Sequence, residues 1–374
     1  MKPKHKSKKS KNKNKSSDEK RSAEQISTLS IAVPGSILEN AQSPELRSYL
    51  AGQIARAAAI FQVDEIIIFD DVGVKDASND AKSVDLDDEN KTVRKCCTQF
   101  ATILKYLECP QYLRKNFFPI HKDLQYCGLL NPLDSQHHLR QASTFLFREG
   151  VTSNKKVKEG SNSTFVNVGL LNDVRVDQRL TENIRVTVKL DPGQDLKSKK
   201  LRGSIVAPSQ PRKETGIYWG YSVRIAASLT DVFTKCPYDD GYDLSIGTSD
   251  KGDELSSIEA NSLKYKHSLI VFGGLQGLEA ALESDDKLDV DDPSLLFDRY
   301  LNTIPKQGSR TVRTEEAVLI SLAALRDKLQ PEKAAPEFEF VESIPVSEDT
   351  GSVKYPDGRN PKKKFKKNHS NSDE

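Results

Sequence analysis

Three glycines follow a buried apolar run in the C-terminal half of the chain, and they form the first pattern that could do chemistry. The run at 268–272 predicts a strand, and Gly273, Gly274 and Gly277 come after it. Glycine tolerates positive φ and lets a ligand approach the backbone, and ligands bind at the carboxyl ends of strands in open α/β sheets. The spacing fails as a dinucleotide fingerprint, so the segment is either a ligand loop or turn geometry alone.

A polar segment at 301–314 links the last predicted strand to the last predicted helix. Its amides, hydroxyls and guanidinium groups are those of Asn302, Thr303, Gln307, Ser309, Arg310, Thr311 and Arg313. Many convergent donors and acceptors suit a polar adenosine-like ligand or a phosphate backbone. The alternative is an ordinary surface loop that ends in a helix cap at Thr314.

The elements that must position these segments alternate between strand and helix. Apolar runs predict strands at 29–33, 65–70, 242–247, 268–272 and 299–302. Helical spacing of apolar residues predicts a helix that opens at Asn40 or Ser43 and continues to 58, and two more over 93–107 and 314–329. This alternation is typical of an α/β fold, and the continuous apolar runs indicate a parallel sheet covered on both faces.

The pattern changes between residues 118 and 223 to short alternating runs separated by Gly, Pro, Asn and Asp. The predicted strands there are 144–149, 164–168, 174–176, 184–190 and 203–207. Such spacing is typical of a small all-β barrel. We therefore expect an α/β domain that is interrupted by a barrel.

The net charge of +2 conceals separate blocks of opposite sign. Lysines crowd residues 2–15 and 362–367, whereas acids dominate residues 70–89. Such blocks bury too little apolar surface to offset ordering entropy, so we expect disorder in both tails and in the loop 75–91. The basic tails favour contact with nucleic acid or act as nuclear address signals; the alternative is that they only maintain solubility.

Composition also argues against several classes of protein and site. We expect neither a membrane span nor a secretory signal, because no long apolar run is present. The cysteines are odd in number and lack CxxC spacing, which favours free thiols in the cytosol or nucleus over disulfides or zinc. His137 and His138 are adjacent and therefore seldom ligate one ion together, so no metal is expected.

The glycine segment and the polar segment, taken together, indicate one particular protein family. FGGLQG at 272–277 and LNTIPKQGSRTVRTEEA at 301–317 resemble the eukaryotic and archaeal branch of the SPOUT superfamily of RNA methyltransferases. The same resemblance includes VPGSILENAQSPELR at 33–47, YLRK at 112–115, GLLNPL at 128–133 and GYDLSIGT at 241–248. It covers about residues 28–326. One departure is Lys306, where the family motif has glycine: either the lysine stiffens the loop or its side chain points to solvent.

The resemblance implies a SPOUT α/β fold with a deep C-terminal trefoil knot and an inserted OB-like barrel. The implied parts are a disordered basic tail (1–26), the N-terminal part of the SPOUT domain (27–117), the barrel (118–223), the knotted part (224–330) and a second disordered basic tail (331–374). OB folds hold single-stranded nucleic acid on aromatic platforms in a basic groove. Phe145, Phe147 and Phe165 are either such platforms or core residues, and we expect core.

S-adenosylmethionine is the methyl donor that the resemblance implies, bound in the knot against loops 248–252, 272–277 and 301–314. The implied donor-binding residues are Lys251, Gly273, Gly274, Gly277, Asn302, Thr303, Ile304 and Ser309. Arg310 and Arg313 are candidate catalytic residues that would orient RNA phosphate or stabilise a developing anion on the base. Glu315 or Glu316 could take a proton, or both are only acids at a helix N-terminus.

The expected function is methylation of RNA by S-adenosylmethionine, with a base of ribosomal RNA as target. Because the knots of the family pair, we expect a homodimer, located in the nucleus or nucleolus with a cytoplasmic pool. One alternative is a non-catalytic RNA-binding scaffold associated with chromosomes, the kinetochore or the spindle. A nucleotide-binding dehydrogenase is disfavoured by the missing fingerprint.

Overall fold

The computed structural model describes residues 25–72, 83–85, 92–155 and 162–338. The predicted disorder of residues 1–24 and 339–374, and of most of the acidic loop 75–91, lies outside these residues.

The described chain alternates between strands and short or medium helices. The strands are β1 (Thr28–Pro34), β2 (Glu65–Phe69), β3 (Ser83–Asp85), β4 (Thr92–Arg94), β5 (Phe147–Ser153), β6 (Thr164–Asn167), β7 (Val174–Val176), β8 (Arg185–Leu190), β9 (Arg202–Val206), β10 (Ser222–Ala226), β11 (Leu244–Glu254), β12 (Leu263–Tyr265), β13 (His267–Phe272), β14 (Arg299–Asn302) and β15 (Leu329–Pro331). The α-helices are α1 (Pro44–Ile60), α2 (Lys95–Glu108), α3 (Arg114–Phe117), α4 (Gln210–Thr215), α5 (Leu229–Thr234), α6 (Gly277–Glu283) and α7 (Thr314–Leu325).

Six parallel strands form the central sheet, in the order β10-β2-β1-β13-β11-β14. Ile66, Ile67 and Ile68 on β2 are all fully buried, because successive side chains point to opposite faces and helices cover both. The mixed α/β architecture with a parallel sheet is as predicted. The polar loop predicted at 248–252 is wrong: β11 continues through it to Glu254, with a register shift between Thr248 and Asp253.

The helices form two layers on this sheet. Residues of α1, α2 and α7 pack with Ile31, Ile66 and Ile270 on one face, whereas α5 and α6 pack with Ile67 and Val271 on the other. Of the two starts predicted for α1, the structure has Ser43 as the capping residue and not Asn40, and it confirms Pro44 in the first turn. The helix predicted over 314–329 ends earlier, at Leu325, because residues 329–331 form β15.

A closed five-stranded barrel, in the order β5-β6-β7-β9-β8, interrupts the α/β pattern. Its strands lie within the five predicted runs or overlap them, since each run alternates apolar and polar residues over a valine-rich core. The barrel begins later than the predicted boundary at 118: Cys127 and Leu133 pack into the main core beneath the sheet. Phe147 is fully buried and Phe145 packs against it, which confirms the core prediction for these two; Phe165 is only half-buried.

A buried ionic cluster joins the barrel to the sheet domain. Arg185 on β8 donates to both carboxylate oxygens of Glu108 at the end of α2, at 2.7 and 2.9 Å. Its Nε donates to Glu149 on β5 at 2.7 Å, and Trp219 Nε1 donates to the same carboxylate at 2.7 Å. Burial acts to raise the pKa of Glu108, but hydrogen bonds from His137 and Arg185 outweigh it and lower the pKa to about 2.

Order extends further than the sequence predicted at three places. The tail predicted from residue 331 is wrong for 331–338: β15 pairs with β12, and Glu332 N donates to Tyr265 O at 2.9 Å. The tail predicted to end at 26 is wrong for its last residues, since Ile26 is buried. Within the acidic loop, the backbone of β3 pairs with β4. The two ends of the folded part meet, because Ser27 N donates to Lys333 O at 2.9 Å and Lys333 N donates to Ser27 Oγ at 3.1 Å.

All five cysteines are free thiols, and four of them are buried. Within the residues that the structure describes, no helix combines the length and the apolar character needed to cross a membrane.

Candidate active site

A cleft of about 170 Å³ lies at one edge of the sheet, between residues 248–250 of β11 and the segments that follow β13 and β14. The three segments predicted to surround a ligand all contribute to its walls, together with Ala317 and Ser321 on α7. The predicted site residues that line it are Gly273, Gly274, Gly277, Asn302, Thr303, Ile304 and Arg310. The structure therefore brings most of the predicted residues together.

The glycines form a tight turn in which a side chain at 273 would collide with backbone. Gly277 has φ 78°, which favours glycine, and its N–H donates to Gly274 O at 3.1 Å. A Cβ on Gly273 would lie 2.9 Å from Gly277 Cα, so the backbones of the two glycines are in direct contact. The turn thus presents bare backbone to the cleft.

Asn302 connects two walls of the cleft through its amide. Its Nδ2 donates to Asp250 O at 3.0 Å, and its Oδ1 accepts from Ile304 N at 3.0 Å. Both ends of the amide are therefore bonded within the protein. The contribution of Asn302 is to fix the segment after β14 against β11.

Two hydroxyl groups attach α7 to the same cleft. Thr303 Oγ1 and the fully buried Ser321 Oγ lie 2.6 Å apart, and Thr314 Oγ1 donates to Gly273 O at 2.9 Å. The first turn of α7 is thereby held to the glycine turn. Thr314 begins the helix as predicted.

Three predicted residues lie outside the cleft walls. Lys251 Nζ donates to Glu279 at 2.6 Å with 70% of its side chain exposed, and Ser309 Oγ donates to Thr311 O at 2.8 Å. Arg313 precedes α7 with its side chain 75% exposed, 3.9 Å from Glu315. Lys306, which departs from the family motif, has φ 58°, the left-handed region that favours glycine.

Comparison with known proteins identifies the family to which this chain belongs. A family model described as "Putative RNA methyltransferase" matches residues 28–325, which includes the sheet, the barrel and all three segments of the cleft. The chain belongs to this family. It is an RNA methyltransferase, and the dehydrogenase alternative is excluded.

The methyltransferase is similar to three proteins named 28S rRNA (uridine-N(3))-methyltransferase. The Drosophila melanogaster protein is 60% identical over 328 residues, which are 87% of this chain and 67% of that protein. The Mus musculus protein is 55% identical over 305 residues, 81% of this chain and 77% of that protein. The Homo sapiens protein is 54% identical over 305 residues, 81% of this chain and 78% of that protein.

The two glutamates considered as proton acceptors in the methyltransferase face away from the cleft. Glu316 accepts a hydrogen bond from Arg313 N at 3.1 Å and so caps α7. Glu315 and Glu316 both line a second cavity, between α1 and α7. Their positions match the alternative, which is that they are acids at a helix N-terminus.

A different group of polar residues meets the glycine turn of the methyltransferase, and sequence reasoning missed it. Asp71 follows β2, Ser36 follows β1, and a Cβ on Gly274 would lie 3.3 Å from both Asp71 Oδ2 and Ser36 Oγ. The signal was present: β1 and β2 are parallel, so residues after them share the edge where β11, β13 and β14 also end. It was missed because Asp71 was assigned to the acidic block at 70–89.

This group is tightly bonded. Asp71 Oδ1 accepts from Ser36 N at 3.1 Å and from Arg94 Nη2 at 3.0 Å, and Oδ2 accepts from Ser36 Oγ at 2.5 Å. Arg94 also donates to Asp70 at 2.8 Å and to Glu39 at 2.9 Å. Burial raises the pKa of Asp71, and hydrogen bonds from Ser36 and the charge of Arg94 only partly offset this.

Proposed function

We propose that this methyltransferase transfers a methyl group from S-adenosylmethionine to N3 of a uridine in large-subunit ribosomal RNA. The observation that carries the proposal is that relatives at 60%, 55% and 54% identity, aligned over 81% or more of this chain, bear the name of that activity. The range that the family model matches, 28–325, contains every wall of the cleft.

The residues of the cleft fit the proposed donor. Bare backbone at Gly273 and Gly274 suits the edge of an adenine, while Thr303 and Asn302 lie beside it. Ile304, Val312 and Ala317 supply apolar wall, and Arg310 is an exposed cation that could meet a carboxylate. When bound, S-adenosylmethionine would supply an electrophilic methyl group; the protein's part is to align it with the acceptor.

We also propose the SPOUT fold with its C-terminal trefoil knot. Two observations support it. The donor cleft lies between β11 and the segments that follow β13 and β14, and Thr314 after β14 bonds to Gly273 after β13. Three chain segments packed this closely are what a knotted ligand pocket requires.

The barrel is the proposed RNA-binding part. Lys197, Lys199 and Lys200 lie together and exposed on the loop before β9, where they could neutralise phosphates. The lysine-rich tails at 2–15 and 362–367 would add affinity for the same polyanion. Because Phe145 and Phe147 belong to the core, the half-buried Phe165 is the remaining predicted aromatic that could stack on a base.

The second cavity, about 440 Å³ between α1 and α7, supports a homodimer. Tyr49, Ile60, Leu319 and Ile320 border it with 52%, 53%, 43% and 40% of their surfaces exposed. Arg56 lies in the same patch as Glu315 and Glu316. Apolar side chains flanked by both signs of charge suit an isologous interface with a second copy.

Ribosomal RNA as substrate is consistent with the proposed location in the nucleus or nucleolus with a cytoplasmic pool. Association with chromosomes or the spindle is a separate proposal that would operate through the basic tails. The scaffold alternative differs from the enzyme in needing no donor, so isothermal titration calorimetry with S-adenosylmethionine separates them.

The test of the proposed function is direct. Purified protein, S-adenosylmethionine with a labelled methyl group and a large-subunit rRNA transcript are incubated, and the nucleosides are identified by mass spectrometry. We expect N3-methyluridine at one position. Label on another base, or no label, would refute the proposal.

A further inference from the structure

Asp71 is a carboxylate that reaches the cleft's glycine turn from the neighbouring strands. Gly274 lines the cleft, and Asp71 Oδ2 and Ser36 Oγ would each lie 3.3 Å from a Cβ at that position. Glycine at 274 has no Cβ, so no side chain at this position stands between these oxygens and the glycine turn. Asp71 is 7% exposed, so its carboxylate is nearly buried and lies beside Gly274, which lines the cleft.

The carboxylate has a fixed orientation. Ser36 N and Arg94 Nη2 bind Oδ1, which leaves Oδ2 with the Ser36 hydroxyl and directed to Gly274. Arg94 is itself 4% exposed and held by Asp70 and Glu39. The carboxylate is thus held by three hydrogen bonds, of which Oδ2 accepts one and so keeps a lone pair that could take a proton, as a positioned acid or base must.

The charges around this carboxylate can be named among the described residues. Arg94, from the end of β4, is the cation in contact, while Asp70 and Glu39 are the acids that share it. The thiols of Cys96 and Cys97 lie in the first turn of α2, next to Arg94. Other carboxylates fit the role less well: Glu315 and Glu316 face α1, and Asp250 is exposed to solvent.

We propose that Asp71 is the general base for the reaction, an inference that rests on the proposed function. N3 of uridine carries a proton that must leave. As the N3–CH₃ bond forms and the S–CH₃ bond breaks, the N3–H proton passes to Asp71 Oδ2. The sulfonium becomes a neutral thioether, the carboxylate becomes a carboxylic acid, and uridine becomes neutral N3-methyluridine, so atoms and charge balance.

Asp71→Asn is the test variant because asparagine is isosteric and can keep all three contacts. Its carbonyl oxygen can accept from Ser36 N and Arg94, and its amide can donate to Ser36 Oγ. Single-turnover methyl transfer is measured on two rRNA transcripts, one with uridine and one with 5-fluorouridine, whose N3 proton is more acidic. We expect about a 10²- to 10⁴-fold slower transfer to uridine, at unchanged S-adenosylmethionine affinity by calorimetry. The defect should shrink at least about tenfold on 5-fluorouridine, since a weaker base suffices.

Asp298→Asn is the matched control. Asp298 is a carboxylate hydrogen-bonded to Ser245 N and Oγ, both at 2.7 Å, at the amino end of β14 and so at the opposite edge of the sheet. We expect it to stay within about threefold of wild type on both transcripts.

A second readout needs no donor or RNA. Because the folded pKa of Asp71 is raised, the folded state binds this proton more tightly than the unfolded chain. The unfolding free energy of wild type relative to Asp71→Asn should therefore fall as the pH rises above about 4. This difference tests the protonation of Asp71 even if the variant is unstable.

Several results would overturn the assignment. Transfer by Asp71→Asn within about threefold of wild type would do so, as would an equal loss on both transcripts, which indicates a structural role. If wild type methylates no uridine N3 at all, the proposed function fails, and the assignment fails with it; methylation by wild type with an unaffected variant refutes the assignment alone.

Discussion

The residues of the cleft act mainly by holding three chain segments together, and Asn302 is the sharpest case. Its amide is bonded at both ends, to Asp250 O and Ile304 N. A ligand would therefore meet the backbone that Asn302 arranges, rather than a free amide.

Replacing Asn302 with alanine should weaken S-adenosylmethionine binding by at least about tenfold, because the loss of both hydrogen bonds, each contributing about 1 kcal/mol, releases the segment after β14. Isothermal titration calorimetry measures the affinity. Ser309→Ala serves as control, since Ser309 bonds only within its own loop and lies outside the cleft walls. Wild-type affinity in Asn302→Ala would show that the cleft is not the donor site.

Sequence reasoning found the cleft residues whose type is unusual for their setting. Gly273, Gly274 and Gly277 stand out in the sequence because three glycines follow one buried strand closely. Asn302 stands out because it is the last residue of the strand predicted at 299–302. Asp71 was not found, because its role depends on which strands become neighbours in the sheet, and that pairing joins residues far apart in the chain.

At the scale of elements, the barrel depends on the buried ionic cluster that joins it to α2, which is called the junction below. Arg185 is one-third exposed, but Glu108 and Glu149 beneath it are 6% and 3% exposed. Without Arg185 these two carboxylates would stay buried with one less cation.

Arg185→Met should lower the free energy of unfolding by about 3 kcal/mol, the lower end of the range for breaking a buried pair. Urea unfolding followed by circular dichroism measures it. Lys266→Met removes an exposed pair with Glu332 at 3.9 Å and should cost less than about 1 kcal/mol. Equal losses in the two variants would contradict the importance of the junction.

Glu108 gives the same junction a pH dependence. Its folded pKa of about 2 lies below the unfolded value of 4.5, so its stabilisation is complete above pH 4.5 and is lost as the pH falls toward 2. The difference in unfolding free energy between wild type and Glu108→Gln should therefore shrink by about 3 kcal/mol across that window. A constant difference would indicate that Glu108 titrates normally in the folded protein.

The elements themselves were largely predictable. The barrel strands were predictable because each buries one face only, so apolar and polar residues alternate along the sequence. β13 and β2 were predictable because they are continuous apolar runs. β15 was missed: Leu329, Gln330 and Pro331 have no strand pattern, and their pairing with β12 depends on tertiary contact. The extension of β11 was missed for the same reason, since TSDKG reads as a loop.

At the scale of the whole molecule, the proposed dimer would join copies through the groove between α1 and α7. Because α7 carries Thr314 and Ser321, this interface and the cleft share one helix. Assembly and donor binding should therefore be coupled.

Leu319→Asp combined with Ile320→Asp should convert the dimer to a monomer and lower donor affinity severalfold, since buried charges without partners oppose association. Sedimentation velocity measures the state. Leu295→Asp, at a site 74% exposed and away from the groove, should remain dimeric. A wild type that is monomeric at micromolar concentration would refute the interface.

Ser27 N donates to Lys333 O and Lys333 N donates to Ser27 Oγ, so two positions 306 residues apart in the chain lie side by side. A circular permutant that joins the chain near these two positions by a short linker, and opens instead between β5 and β6, would retain every strand pairing of the sheet. Its refolding rate would reveal whether the order in which the segments are synthesised governs how the cleft is assembled, separately from the contacts that hold it once formed.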